Sequence, residues 1–462
     1  MIDKIMTVPL SGFKDRLPNE AIVLDRIFSN IKKSFMRFGF APIETPMIER
    51  KAILCSNTNT DVKKQIFNIE DKDAGLRFDQ TIPLARYIIN NKNEIPLPGL
   101  LFQIGKVFRG ERPQSGRLRE FYQCDYDIIS TSTPIDEQLK QDAYTINLGI
   151  VAFVNVLNLK QLDKLIQDRD IALDVNNIAI YFLIFDILNI KDNDTREKIL
   201  IAIDKTDYVS KDTFTDINLD ENSIMILEKF SNIKFDFLGS DIKTHFEPLL
   251  KLLGDNKEII TIIDNFTKLQ KILSTYRDIN LGDDKISRSI KSSFDKIKFS
   301  GKLVRGQSYY SGIVFEGKID SLKSSVLGGG RYNKLTENLD PKTKLEGVGA
   351  SLGISRVFEY ISNKITGEQV SSPILLFCEY EDNDILLKIQ KDLKMCNTKI
   401  FFSTDFNKML KYIKNEVSIN VVIISKKCST DECQFATVSN GKIVERETLP
   451  IKDIEKYIMR DT

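Results

Sequence analysis

Apolar residues recur at three- and four-residue spacing through Leu24, Ile27, Phe28, Ile31, Phe35 and Phe38, the stripe of one helix face. Pro18 suits a first helical position and Gly39 supplies the stop. The pattern then changes. "FAPIETPMIE" reads as an extended, proline-interrupted strand, and "QIFNIEDKDAGLRFDQT" as a hairpin turning near Asp73–Gly75. A second strand–turn–strand, "KVFRGERPQSGRLREFYQCDYDI" (Lys106–Ile128), leads to a long apolar-striped helix from about Pro134 to Leu159. From about 166 to 290 helical periodicity dominates a stretch rich in Lys, Asp, Ile and Asn and poor in Gly. Glycine-punctuated strands return at "KLVRGQSYYSGIVFEGK" and "SSVLGGGRYNKL", and "GVGASLGISRVFEYI" ends as a helix. Beyond the linker Lys364–Pro373, strands "ILLFCEY", "TKIFFS" and "NVVIIS" alternate with two helices, the order of a parallel βαβαβ unit. A hairpin turning at Asn440-Gly441 and a last helix, Ile451–Arg460, complete it. The expected divisions are 1–165, a separate, mostly helical insertion at 166–290, 291–365, and a small α/β domain at 371–462.

Composition narrows the chemistry. The chain has 462 residues, with 66 basic and 65 acidic side chains giving a net charge of +1. A nucleic-acid partner must therefore be met by local patches. The most apolar run, "IAIYFLIFDIL", is too short to cross a membrane and carries Asp186. No signal-peptide pattern opens the chain, and the six scattered cysteines form no CxxC, so reduced thiols in a cytoplasmic protein are expected. The one histidine, His245, has no metal-ligand spacing and reads as a surface or packing residue. A HExxH zinc site needs two histidines. Any catalysis here should rest on positioning and charge stabilisation by Arg, carboxylates and Mg²⁺.

The charged hairpin fits that chemistry. With a period of two, Val107, Arg109 and Glu111 share one face of the first strand. Arg117, Arg119, Phe121, Gln123, Asp125 and Asp127 share a face of the second, and Leu118, Tyr122, Cys124, Tyr126 and Ile128 share the other. A solvated face with cross-strand ion pairs is one reading. The other is a nucleotide lying on the sheet: its base stacks on Phe121, Glu111 meets the base edge, and arginines take the phosphates.

Arg-x-Glu, a loop, then Arg-x-x-x-Phe resembles motif 2 of the class II aminoacyl-tRNA synthetases, and "GRLREFYQCDYDI" resembles its form in the histidyl-tRNA synthetases. "FGFAPIETPMIE" resembles motif 1, with Pro46 near a dimer interface, and "LRFDQTIPLAR" the amino-acid-binding strand. "LVRGQSYYSGIVFE" and "GGGRYNKL" resemble the two motifs particular to the histidine branch, and "GVGASLGISRVFEYI" resembles motif 3. Neither glycine run is a Walker or dinucleotide loop; both read on their own as close backbone approaches.

The resemblance implies an α+β fold: an antiparallel-sheet catalytic domain with a helical insertion, plus a C-terminal α/β anticodon-binding domain. It implies a cytoplasmic homodimer joined through motif 1. Its substrates would be L-histidine, ATP with Mg²⁺, and tRNA(His). Arg109 and Arg305 would be catalytic, stabilising the α-phosphate. Glu111 and Phe121 would take adenine, and Arg117 and Arg356 the β- and γ-phosphates. Asp79, Gln80, Thr81 and Gln123 would surround the substrate ammonium, and Asp127, Tyr309, Tyr310 and Tyr332 the imidazole. No side chain is assigned to a metal. The chain departs from the pattern at Gln307, Ser308 and Ser355, and its last domain lacks a Gly-x-x-Glu turn. Lys426 and Lys427 could meet tRNA phosphate or form a solvated loop. A regulatory paralogue, or a tRNA-sensing module on the same fold, is the alternative. The retained Arg109, Arg117, Arg305 and Arg356 count against both.

Overall fold

The computed structural model describes residues 7–56, 60–113, 117–158, 169–279, 284–304, 309–319, 322, 325–337, 339–362, 374–380, 383–393, 398–414, 419–427, 429, 431–439 and 441–458. The chain divides into two compact units, Met1–Lys364 and Ile365–Thr462.

The first unit holds strands β1 (Ala41–Pro42), β2 (Ile48–Arg50), β3 (Ala74–Leu76), β4 (Gly99–Phe108), β5 (Glu120–Ser130), β6 (Ala172–Asn177), β7 (Lys234–Asp236), β8 (Ile297–Ser300), β9 (Ile313–Lys318), β10 (Ser325–Tyr332) and β11 (Glu346–Leu352). Nine form one sheet in the order β1-β4-β5-β11-β10-β9-β6-β8-β7, while β2 and β3 pair separately. Every neighbouring pair from β4 to β6 is antiparallel. The expected hairpin is β4–β5, with Val107 opposite Phe121 and Gly105 opposite Gln123. Its apolar face lies under the first helix, Pro18–Arg37. The Phe35 ring is 4.7 Å from Tyr126 and 5.3 Å from Phe102, and Phe28 is 4.9 Å from Tyr122. Gly39 ends this helix region at φ +82°, a conformation that suits glycine. The long helix spans Ile135–Leu157. The earlier hairpin turns two residues sooner than expected: Asp71 takes the positive φ, and Gly75 lies within β3.

The segment expected as a separate insertion, 166–290, is mostly helical but is not set apart from the sheet. Its β6 pairs with β9 along Ala172–Asn177, and β7 adds the far edge. Strands of six and three residues between strong helical stripes leave little periodic signal of their own. A phenylalanine cluster joins it to β8: Phe299 stacks on Phe235 of β7 at 5.0 Å and meets the helix residues Phe246 and Phe266 edge to face at 5.1 and 5.5 Å. His245 stacks on Phe235 at 4.2 Å, a packing role.

The second unit holds β12 (Ile374–Cys378), β13 (Thr398–Ile400), β14 (Ile419–Ile424), β15 (Glu432–Ser439) and β16 (Lys442–Pro450) in the order β13-β12-β14-β15-β16. The first three are parallel, as βαβαβ order requires, and β15–β16 is the expected hairpin. Gly441 has φ +72°; Asn440 lies outside the described residues. The last helix is a short turn, Ile451–Asp453, followed by Ile454–Ile458.

Candidate active site

Alternation along β5 places Phe121, Gln123, Asp125 and Asp127 on the sheet face away from the first helix. Residues of the connection between β4 and β5, Phe121 of β5 and the helix Ile354–Ser362 meet over the near end of that face. There Arg109, Glu111, Arg117, Leu118, Phe121, Ser355, Arg356 and Glu359 line a small cleft. The Arg109 guanidinium sits 5.1 Å over the Phe121 ring, and its Nε donates to the Phe78 carbonyl at 3.2 Å. Glu111 and Arg117, expected on base and phosphate, form an ion pair with each other. Arg356 donates to the Ser325 carbonyl at 2.6 Å. Burial holds its pKa below the usual arginine value, and the nearby charges of Arg109 and Arg117 push the same way. Three mutually repelling guanidiniums on one cleft make a site for a polyanion. Arg119, on the same strand face by sequence, instead reaches the Ser11 and Glu111 carbonyls. Ser355, one of the departures, accepts from the Tyr122 N–H at 2.9 Å and so ties its helix to β5.

Farther along the face is a buried cluster of polar and aromatic groups. Asp79, Gln80 and Thr81 form the turn into the helix Thr81–Asn91, and all three are buried. Gln80 donates to the Gln123 carbonyl at 3.2 Å. Tyr332 donates to Asp127 Oδ1 at 2.5 Å. Tyr309 lies 4.7 Å from Tyr310 and 5.9 Å from Tyr332, and its hydroxyl interacts with Thr81. Burial pushes the Asp79 carboxyl up to about 7, the Asp125 charge adding to the shift and the Arg109 charge opposing it. Burial, with Asp125 beside it, drives Asp127 well above the carboxylate range. The glycines of the two Gly-rich runs make room here. A Cβ on Gly349 would lie 1.8 Å from Asp127 Oδ1, and one on Gly330 would lie 2.9 Å from the Tyr310 ring. The structure thus brings together all the expected site residues except Arg305, which lies outside the described residues, as do Gln307 and Ser308.

Sequence reasoning missed the groups behind the site. Arg77, buried, donates to the carbonyls of Lys106 and Thr45 at 2.9 Å. Gln103 donates to the Gln80 carbonyl at 3.1 Å and accepts from Thr45. Arg331 of "GGGRY" points out of the pocket into a buried pair with Asp142, Nη2 to Oδ1 at 2.7 Å. Only Asp125 carried a signal, its place in the face alternation.

An antiparallel sheet whose motif 2 hairpin and motif 3 helix aim arginines at one cleft, beside a buried cluster of carboxyls, amides and tyrosines, defines a class II aminoacyl-tRNA synthetase. The model of the family described as Histidyl-tRNA synthetase matches residues 12–357. The histidine--tRNA ligase of Helicobacter pylori (strain P12) is 35% identical over 381 residues, covering 81% of this chain and 79% of that protein. That of Wolinella succinogenes is 33% identical over 384 residues, covering 80% and 79%. The chain belongs to the histidyl-tRNA synthetase family. A histidyl-tRNA synthetase structure from Nostoc sp. PCC 7120 shares the fold with a TM-score of 0.70 at 21% identity, over 99% of this chain and 100% of that one. An "ATP phosphoribosyltransferase regulatory subunit/histidyl-tRNA synthetase" from Bacillus halodurans shares it at 0.68 and 19%, over 92% and 99%. Fold alone therefore does not separate enzyme from regulator; the arginine cleft bears on that choice.

Proposed function

We propose that this chain activates L-histidine with ATP and transfers it to tRNA(His). The observation that carries this reading is the cleft of Arg109, Arg117 and Arg356 opening beside the pocket of Asp79, Gln123, Asp127 and Tyr332. A histidine carboxylate oxygen attacks the α-phosphorus of ATP. The bond from that phosphorus to the bridging oxygen breaks, and pyrophosphate leaves with the electron pair. The terminal ribose hydroxyl of tRNA then attacks the adenylate carbonyl, and AMP departs.

Positioning carries most of the first step. Arg109 sits over Phe121 and its charge acts on the Asp79 carboxylate, so it would bridge α-phosphate and amino acid. Arg305 joins it on the charge that builds at phosphorus, an assignment that rests on the family resemblance alone. Adenine lies on Phe121. ATP would separate Glu111 from Arg117, the base edge taking the first and phosphate the second, with Arg356 beside it. Mg²⁺ would enter with the triphosphate and offset its charge; among the described residues no group of three His, Cys, Asp or Glu is placed to hold a metal ion. In the pocket, Asp79, Gln80, Thr81 and Gln123 surround the ammonium. Asp127, oriented by the Tyr332 hydroxyl, takes one imidazole nitrogen, with Tyr309 and Tyr310 as the aromatic walls. A site built around those polar atoms rejects side chains that leave them unpaired.

The second unit would read the anticodon. A second copy of the chain would cover the motif 1 region, where Met47 and Ile48 are half exposed next to Pro46. Among the described residues no helix is long and apolar enough to cross a membrane, and we place the reaction in the cytoplasm with its tRNA. Charging of unfractionated tRNA with each labelled amino acid tests this reading. ATP-dependent incorporation of histidine that is acid-precipitable and released by mild alkali, as an ester is, is expected, and incorporation of a different amino acid, or none, would contradict it.

A further inference from the structure

Asp125 belongs to no expected role, yet it is only 2% exposed. β5 carries it on the pocket face between Gln123 and Asp127, and its register partners are Gln103 on β4 and Ser351 on β11. The Ser351 hydroxyl donates to Oδ1 at 2.6 Å, which fixes the carboxylate. The other oxygen, Oδ2, is buried with no hydrogen-bond partner. The neighbouring guanidiniums do not use it. Arg77 gives Nε and Nη1 to Lys106 and Thr45, and Arg109 gives Nε to Phe78, so both act on Asp125 through charge, beside the Gln80 N–H.

Three more buried acceptors are in the same condition: Asp79 Oδ2, Gln80 Oε1 and Gln123 Oε1. All belong to the turn and strand that surround Asp125. A buried acceptor left without a donor is costly, and an ammonium group brings three donors and the missing positive charge. The charge count agrees: Asp79, Asp125 and Asp127 are set against Arg77 and Arg109, and Asp125 disfavours ionisation of both other carboxyls.

We propose that Asp125 is a further substrate-binding residue, its Oδ2 joining Asp79 on the α-ammonium of the amino acid, with Ser351 as its positioning residue. This rests on the reading of the pocket as the histidine site. The site then clasps the ammonium between two carboxylates from different elements, one on the helix-entry turn and one on β5.

The test is equilibrium binding of three probes to the full chain and its variants: L-histidine, L-histidinol, and 3-(imidazol-4-yl)propionate, which lacks the ammonium. Asp125→Asn should weaken histidine and histidinol by ~10–100-fold, the scale of a charged hydrogen bond, and change the des-amino compound little. Ser351→Ala should give the same selectivity with a smaller loss, and it carries the test if Asp125→Asn does not fold. Equal weakening of all three probes, or of none, would overturn the proposal while leaving the histidine site standing. Failure of the unsubstituted protein to bind histidine would instead remove the reading beneath it, and the proposal with it.

Discussion

Gly349→Ala is the sharpest single perturbation of the pocket. The added Cβ would sit 1.8 Å from Asp127 Oδ1, 2.5 Å from its Cγ and 2.8 Å from the Tyr126 carbonyl oxygen. Ordinary contact begins at 3.4 Å, so the carboxylate must retreat by about 1.6 Å (3.4 − 1.8). The backbone cannot yield instead, because Gly349 and Asp127 are register partners in the middle of the β5–β11 ladder. Retreat breaks the 2.5 Å bond from Tyr332 and moves the group proposed to face imidazole. Breaking it strands a buried polar group, at roughly 1–3 kcal/mol, or about 5–150-fold in affinity. Overpacking adds a stability cost of ~1–3 kcal/mol. The assay is ATP–pyrophosphate exchange with histidine and ATP varied in turn, alongside a thermal melt. KM for histidine should rise by about that factor, with KM for ATP nearly constant. An unchanged histidine KM, or an equal rise in both, would refute the placement of Asp127 in the amino-acid pocket.

Other consequences are equally direct. Asp79 titrates at about 7 in the folded chain against an ordinary 3.8, so the ligand-free fold favours its protonated form. The stability this contributes is present at low pH and is lost as pH rises through about 7. Asp79→Asn should therefore stabilise the ligand-free protein at pH 8, by on the order of a few kcal/mol, and not at pH 4, while abolishing histidine binding; denaturant melts at both pH values check it. Histidine affinity should likewise weaken below about pH 7 as Asp79 takes up its proton, beyond what titration of histidine itself explains, in a pH series of binding curves. Arg331→Ala leaves Asp142 buried and unpaired and should cost ~3–5 kcal/mol by denaturant titration, with Arg331→Lys a poor rescue. Arg305→Ala should lower the rate of adenylate formation by roughly 10²–10³ with the thermal midpoint unchanged, measured in a single turnover.

The site was legible where chemistry lies close together in the chain. Strand alternation alone put Phe121, Gln123 and Asp127 on one face, and the β4–β5 register agrees. Parallel pairing of the second unit followed from its element order. What stayed hidden is long-range. Arg331 meets Asp142 across 189 positions, and the Ser355 hydroxyl meets the Tyr122 N–H across 233. No local period encodes either. The join of β6 to β9 was hidden for the same reason, since helices on both sides of β6 dominate the pattern. Glycine runs signalled close approach, but only the fold shows that Gly349 clears space for a carboxylate and Gly330 for a tyrosine ring.

The most direct test of the central claim is ATP–pyrophosphate exchange with the full chain and Mg²⁺, each of the amino acids offered alone. Exchange with histidine and with no other amino acid is the predicted result, since it requires the arginine cleft and the carboxylate-lined pocket to act on one substrate. Exchange with a different amino acid, or none from folded protein, would contradict it.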